Sequence, residues 1–285
     1  MRDRTAIVIQ ARTGSSRLPG KVLAPLAGVS LLERVVERAL AADTGADVIV
    51  ATTVLAEDDD IRAICARRGF RCYSGHPTDL LARHVGAART VRADVLVKIP
   101  SDCPLVDPRV IRRVLSFAEE HAHRYDFVSN LHPPTFPDGQ DVEVIGMRHA
   151  EDALVEARAA HEREHTTPFF WERPERYRIG NVTWEGGFDA SHRHRWTVDY
   201  PEDYALVAAV YDALGSTTSP PFGLEAVLEF LAAHPEVDAL NAHLRGDSWR
   251  RRHERERSGA SVEVLAERRS GPLGNRASAM VGSRT

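Results

Sequence analysis

Cysteine is scarce in this 285-residue chain: there are three, Cys65, Cys72 and Cys103. They show no metal-ligand spacing, and an odd count builds no disulfide framework, so they read as reduced thiols of a cytoplasmic protein. Long apolar runs are also missing. None approaches the ~20 residues that span a bilayer, and Met1-Arg2-Asp3-Arg4 leads into a strand too short and too soon charged for a signal peptide, so no membrane role is expected. Nor is there a large surplus of one charge. A formal net charge of -4 offers no global attraction to nucleic acid or to an anionic membrane, so any anion the protein binds must be met locally.

What is present is concentrated near the N-terminus. The apolar run Ala6-Ile7-Val8-Ile9 is followed by Gln10-Ala11-Arg12-Thr13-Gly14-Ser15-Ser16-Arg17-Leu18-Pro19-Gly20-Lys21. Gly14 and Gly20 allow close backbone approach, Ser15 and Ser16 offer hydroxyls, and Arg12, Arg17 and Lys21 bring three cations to one loop. This mixture suits a triphosphate. It is not a Walker A loop, which reads G-x-x-x-x-G-K-[ST]. Five residues separate Gly14 from Gly20, Val22 replaces the metal-binding hydroxyl, and Pro19 and Pro25 argue against a helix starting at Lys21.

Short runs rich in β-branched residues alternate with stretches of helical period: Ala6 to Ile9, Val48 to Thr52, Phe70 to Tyr73, Val95 to Ile99 and Phe127 to Ser129. Such alternation predicts an α/β fold with a doubly wound, mostly parallel sheet flanked by helices. Ser30-Leu31-Leu32-Glu33 is a capping box, and Asp58-Asp59-Asp60 reads as a helix start in preference to a metal site. Further helices are expected from about Leu80 to Arg89, from Pro108 to Ala118 and from His149 to about Ala160, with strands at Asp141 to Ile145 and near Tyr177 to Val182. The turn-rich stretch after Asn130 suggests an inserted lobe over about 131 to 195 within a domain of residues 1 to 245. The remaining 246 to 285 form a charged tail, expected to be disordered from about 258. Its Arg250 to Arg257 run has interleaved glutamates and no aromatics, which suits a solvated helix end better than a nucleic-acid contact.

Two carboxylates follow short strands, where open α/β sheets gather their ligands: Asp102, after Val95 to Ile99, and Asp199, after Trp196-Thr197-Val198. Both could converge on the cationic loop and hold Mg²⁺, which takes one or two carboxylates plus substrate phosphates. Taken singly, Asp102 could hydrogen-bond its own turn and Asp199 could cap the helix near Pro201. Cys103, beside Asp102, has no His–Asn pattern to make it a nucleophile. A nucleobase pocket could draw on Ala11, Ala51, Thr52 and Thr53, with Asp79 and Ser101 also placed on the nucleotide side.

The loop resembles the A-R-x-x-S-x-R-L-P-G-K signature of cytidylyltransferases that activate 3-deoxy-manno-octulosonate and, more loosely, acylneuraminate. Over about residues 5 to 245 the chain is most similar to the spore coat polysaccharide branch of that family, through Ser101 to Pro108, Ser129-Asn130, Pro137-Asp138-Gly139-Gln140-Asp141-Val142-Glu143, Arg163-Glu164-His165-Thr166-Thr167-Pro168 and Arg195 to Asp199. The resemblance implies a Rossmann-like nucleotide-diphospho-sugar transferase fold. It also implies that Arg12 and Lys21 grip the triphosphate, that Asp102 and Asp199 hold Mg²⁺, and that the lobe pairs two subunits and helps bind the acceptor. The expected reaction is transfer of a nucleotidyl group from CTP, with release of pyrophosphate, to a sugar, sugar acid, sugar phosphate or related acceptor. Gln10 replaces the proline of the sugar-acid enzymes, and the acceptor blocks differ from theirs. Asp141, Glu143, Arg163 and His165 are candidate acceptor contacts, although His165 could equally sit at a helix end or a subunit contact. A metal-dependent glycosyltransferase of related build would also use strand-end aspartates but would have little use for Arg12 with Lys21. A silent nucleotide-binding protein would bind without turnover.

Overall fold

A computed structural model describes residues 3–186, 189–215 and 221–247. Its centre is a seven-stranded sheet. The strands are β1 (Thr5–Gln10), the short hairpin pair β2 (Pro25–Leu26) and β3 (Val29–Ser30) outside the sheet, then β4 (Asp47–Thr53), β5 (Arg71–Gly75), β6 (Val95–Pro100), β7 (Phe127–Ser129), β8 (Glu143–Gly146) and β9 (Ile179–Asn181). Their order across the sheet is β5-β4-β1-β6-β8-β7-β9. All neighbours are parallel except β8, which runs against both β6 and β7. The mostly parallel α/β fold is therefore as anticipated.

The helices are α1 (Leu31–Ala41), α2 (Asp59–Arg68), α3 (Leu80–Thr90), α4 (Pro108–Glu120), α5 (Met147–Glu156), α6 (Ala160–His165), α7 (Pro168–Trp171), α8 (Pro201–Leu214), α9 (Leu224–Ala233) and α10 (Pro235–Asp238). Because successive strand residues point to opposite faces, the apolar runs feed two cores. Ile7, Ile9, Val97 and Ile99 pack with α1, α4, α8 and α9 on one side. Ala6, Val8, Leu96 and Ile145 pack with α3, α5 and α7 on the other. Several helix starts follow from local chemistry. Ser30 and Glu33 form the expected capping box of α1, and Asp107 accepts the Arg109 amide ahead of Pro108 in the first turn of α4.

Residues 131 to 195, expected as an inserted lobe, contribute strands to the central sheet. They supply β8 to the interior of the sheet and β9 to its edge. Val144 and Ile145 are buried on opposite faces, which is the requirement for an interior strand rather than an appended one. The short strand expected at Trp196 to Asp199 is instead an extended segment held by single bonds. The Trp196 amide donates to the Asp138 carbonyl at 2.7 Å and the Val198 amide to the Asp102 carbonyl at 2.8 Å. The described fold lies in one compact unit, Met1–Arg245, with Gly246–Thr285 as a second. The charged tail, including Arg250 to Arg257, lies outside the described residues from 248 onward. No helix among the described residues is long and apolar enough to cross a membrane.

Candidate active site

β1 and β6 are adjacent and parallel, so the segments leaving their carboxyl ends emerge side by side. The loop after β1 carries the cations, and the turn after β6 carries Asp102. Open α/β sheets place ligands at this edge. Gly20 turns the loop back at φ 71, a left-handed conformation that favours glycine, and its amide donates to the Thr13 carbonyl at 2.9 Å. A single 3-10 turn, Lys21–Leu23, follows. It is far short of the α-helix that a Walker loop requires.

The loop is pinned from an unexpected side. Asp58 is fully buried and accepts both the amide and the hydroxyl of Thr13 at 2.8 Å, and it also takes the Thr53 hydroxyl. These bonds outweigh the penalty of burial and hold its carboxyl below the usual range. Only Asp59 and Asp60 of the acidic triplet belong to α2, so the helix start does not account for Asp58.

Lys21 is buried at the convergence of the two predicted carboxylates. Its ammonium lies 2.9 Å from Asp102 Oδ2, 2.9 Å from Asp199 Oδ1 and 2.8 Å from the Val198 carbonyl oxygen. Burial disfavours the charge, yet Asp102 and Asp199 together raise the lysine above its ordinary pKa. Arg17 reaches the same Asp199 oxygen at 2.6 Å, and its guanidinium lies over the Tyr200 ring. Burial likewise opposes ionisation of Asp199, but Lys21, Arg17 and Arg195 keep its carboxyl below the usual range. Arg12 is exposed and, among the described residues, has no partner, so its guanidinium is open to an incoming anion.

Neither alternative role for the two aspartates holds. Asp102 gives its side-chain oxygen to Lys21. The start of α8 is closed by Asp203, which accepts the amides of Asp199 and Tyr200 at 3.0 Å, leaving the Asp199 side chain to the loop. Behind it stands Arg195, 1% exposed, bonded to Asp203 at 2.9 Å and to Asp199 at 3.1 Å, and facing Asp138 at 3.4 Å. Gly139, at φ 105, lies so near the Trp196–Thr197 backbone that a Cβ would come within 2.8 Å of it. This close approach brings the Asp138 and Asp199 segments together. Gln140 and Asn130 act as braces: the Gln140 side chain bonds Asp107 and Leu105, and Asn130 clasps Gln140 and Val142.

The remaining candidates separate into two groups. Ala11 is buried at the base of the loop, Gly14 and Ser16 are exposed on it, and Ser15 accepts the Leu18 amide at 3.4 Å. Ser101 is buried beside Asp102, Thr53 is spent on Asp58, and the Thr52 hydroxyl is buried without a partner. Asp141, half-buried and unpaired among the described residues, faces Asp138, Glu143 and Asp102, and burial with this company pushes its carboxyl to about 8. Asp138 is pushed to about 6, chiefly by burial.

Three candidates are held by partners within the fold. Glu143 is tied across the strands to Lys98 at 2.5 Å. Arg163 binds Asp79 at 2.7 Å and the Leu154 and Ala157 carbonyls, so it joins α6 to the start of α3. Asp79 itself caps α3 through the Ala82 amide. His165 is half-buried at the end of α6. Cys103 is buried, and burial with Asp141, Asp102 and Asp138 nearby keeps its thiol protonated.

Sequence reasoning missed Asp58, Arg195 and Asp203. The Asp203 role had a signal, since an acidic residue in the first turn of a helix can reach back to the amide ahead of it, as Asp203 does to Tyr200. Asp58 acts across 45 residues of sequence, and Arg195 faces Asp138 across 57 while bonding Asp199 and Asp203 four and eight positions on.

A parallel sheet with a cationic loop and paired aspartates at one edge is the build of a nucleotidyltransferase. A family model described as cytidylyltransferase matches residues 6–218, and the chain belongs to that family. It is 29% identical over 235 residues to the spore coat polysaccharide biosynthesis protein SpsF of Bacillus subtilis, covering 81% of this chain and 95% of that protein. It is 35% identical over 158 residues to a 3-deoxy-manno-octulosonate cytidylyltransferase of Anaeromyxobacter dehalogenans, covering 54% of this chain and 63% of that one. A cytidylyltransferase structure from Leptospira borgpetersenii superposes with a TM-score of 0.78 at 29% identity, covering 83% of this chain and 97% of that chain. The protein is thus a nucleotidyltransferase that uses CTP, which sets aside the glycosyltransferase and silent-binder alternatives.

Proposed function

We propose that this enzyme transfers the cytidylyl group of CTP to an oxygen of a small sugar-like acceptor and releases pyrophosphate, with Mg²⁺ at Asp102 and Asp199. The observation that carries this reading is the position of Lys21, 2.9 Å from both aspartates. A phosphate drawn to that ammonium arrives at the carboxylates as well. The donor set fits a hard divalent cation, for it offers carboxylate oxygens that already attract a cation and needs only substrate phosphates to complete a shell. When bound, Mg²⁺ supplies charge neutralisation across the phosphate oxygens and can lower the pKa of an acceptor hydroxyl.

The chain's own residues supply the rest. Arg12 and Lys21 take the β- and γ-phosphates and stabilise the charge that builds on the leaving pyrophosphate as the acceptor oxygen bonds to the α-phosphorus. Asp58 fixes Thr13 and so holds Arg12 and Gly14 in place before the nucleotide binds. Ser15, Ser16 and Arg17 orient the phosphates, and Ala11, Thr52 and Ser101 belong to the nucleotide side. On the acceptor side the group left without a partner is Asp141, which suits a hydroxyl of the acceptor. The 131 to 195 segment is proposed to pair two subunits, and SpsF suggests a role in polysaccharide biosynthesis.

A pyrophosphate-release screen tests this reading. The four nucleoside triphosphates are offered with Mg²⁺ against sugar acids, sugar phosphates and phosphonates. CTP should be preferred with one acceptor class, and release with no acceptor dependence overturns the proposal.

A further inference from the structure

The two proposed metal ligands are balanced by cations of the chain itself. The Lys21 ammonium has three donors and three acceptors: Asp102, Asp199 and the Val198 carbonyl. Both oxygens of Asp199 already face cations: Lys21 and Arg17 share Oδ1, and Arg195 meets Oδ2. Only Asp102 Oδ1 lies outside these ion pairs, with the Cys103 thiol at 3.7 Å. A divalent cation approaching alone would meet a lysine and an arginine on the oxygens it needs. It would have to expel them with nothing to receive their charge.

We propose that Lys21 and Arg17 serve as internal counter-ions that keep free divalent cation off Asp102 and Asp199 until a nucleoside triphosphate draws both side chains onto its phosphates. The inference rests on the assignment of these aspartates as metal ligands and goes beyond it by setting the order of assembly. Metal enters with the nucleotide or after it, not before. The devices for such an exchange are present. Lysine is a compact charge on a flexible stem, Arg17 is only partly buried, and a triphosphate carries more charge than the carboxylates it replaces. Arg195 does not take part: it is 1% exposed and locked to Asp203, so it stays behind to orient Asp199. Linkage makes the effect reciprocal, so metal must tighten nucleotide by the same factor that nucleotide tightens metal.

The test is a titration of the full-length, nucleotide-free protein with Mn²⁺, following the free ion by its electron paramagnetic resonance signal. Wild type should bind weakly. Lys21→Met should bind Mn²⁺ about tenfold tighter, close to 1.4 kcal/mol, and the gain should vanish in the Lys21→Met, Asp102→Asn double variant. Arg17→Met should tighten binding by a smaller factor, and it carries the test if Lys21→Met does not fold. Wild-type affinity equal to or above that of both variants overturns the proposal. If Mn²⁺ binding in the presence of a non-hydrolysable CTP analogue still depends on Asp102, the metal assignment survives that failure. If Asp102→Asn changes nothing in any state, the assignment itself is wrong and the proposal falls with it.

Discussion

The loop from Ala11 to Lys21 and the segment from Asn130 to Arg195, which the proposed function makes the donor and acceptor halves of the site, are built in opposite ways. In the first, charged side chains meet at the sheet edge: Lys21 and Arg17 on Asp199, Lys21 on Asp102, and Arg12 open to solvent. In the second, most charged side chains have been absorbed into the fold, Glu143 by Lys98 and Arg163 by Asp79, and Asp141 is left unpaired. The loop is held ready by cross-linked charges, whereas the second segment, among the described residues, leaves Asp141 uncommitted.

The sharpest way to break this comparison is at Lys21. Lys21→Ala should lower kcat/KM for CTP by about 10²- to 10³-fold, the usual loss when one preorganised electrostatic group is removed. Steady-state pyrophosphate release measures it, and turnover near the wild-type rate means that the loop is not the phosphate site. Next in size is Asp58→Ala. The buried Thr53 hydroxyl and the part-buried Thr13 amide lose their acceptor, while the Thr13 hydroxyl keeps the Glu57 carbonyl, and each orphaned group costs about 1 to 3 kcal/mol. The variant should lose stability in urea and raise KM for CTP about tenfold through the unpinned loop; an unchanged KM would separate the anchor from the site.

Asp141 tests the other half. Its carboxyl is ordinary in the unfolded chain and sits at about 8 in the folded one. The native state therefore keeps a proton that the unfolded chain has released, and stability falls as pH rises from about 4 to about 8. Asp141→Asn removes that loss. Its Tm should match wild type below pH 4 and exceed it by a margin that widens as pH rises toward 8, while acceptor kcat/KM falls. A thermal scan across pH checks the first part, and a gain that is constant with pH would mean that titration of Asp141 is not its source. The smallest effect belongs to Arg163→Met. Its ion pair is partly exposed and screened, so stability should drop by about 1 kcal/mol while kcat/KM for both substrates stays within about twofold. A large kinetic loss would return Arg163 to the acceptor site.

Much of the donor half was legible because its residues are local in sequence: a strand, a glycine-bearing loop and three cations within twelve positions. Asp102 was legible because it sits where the chain leaves β6, and Asp199 because it ends an extended run that lies beside Asp102. What pins them was not. Asp58 and Gln140 act through contacts between segments far apart in sequence, and Arg195, although its Asp199 and Asp203 partners are near in sequence, carries no mark that it is buried between them. The acceptor half misled for the same reason. Arg163 and Glu143 look like ligand-binding charges until the fold brings Asp79 and Lys98 beside them, and β8 looked like part of a lobe until Val144 and Ile145 were seen buried on both faces.

The most direct measurement is ³¹P NMR of CTP, Mg²⁺ and the acceptor panel with wild type and with Asp102→Asn, whose side chain is 28% exposed and can lose its charge without stranding a buried cation, since Lys21 keeps Asp199. Wild type should convert the triphosphate signals to pyrophosphate and a new phosphodiester or diphosphate signal. Asp102→Asn, folded to the same Tm, should do so at least about 100-fold more slowly. Equal rates from the two proteins would show that the carboxylate pair beside Lys21 is not the centre of the reaction.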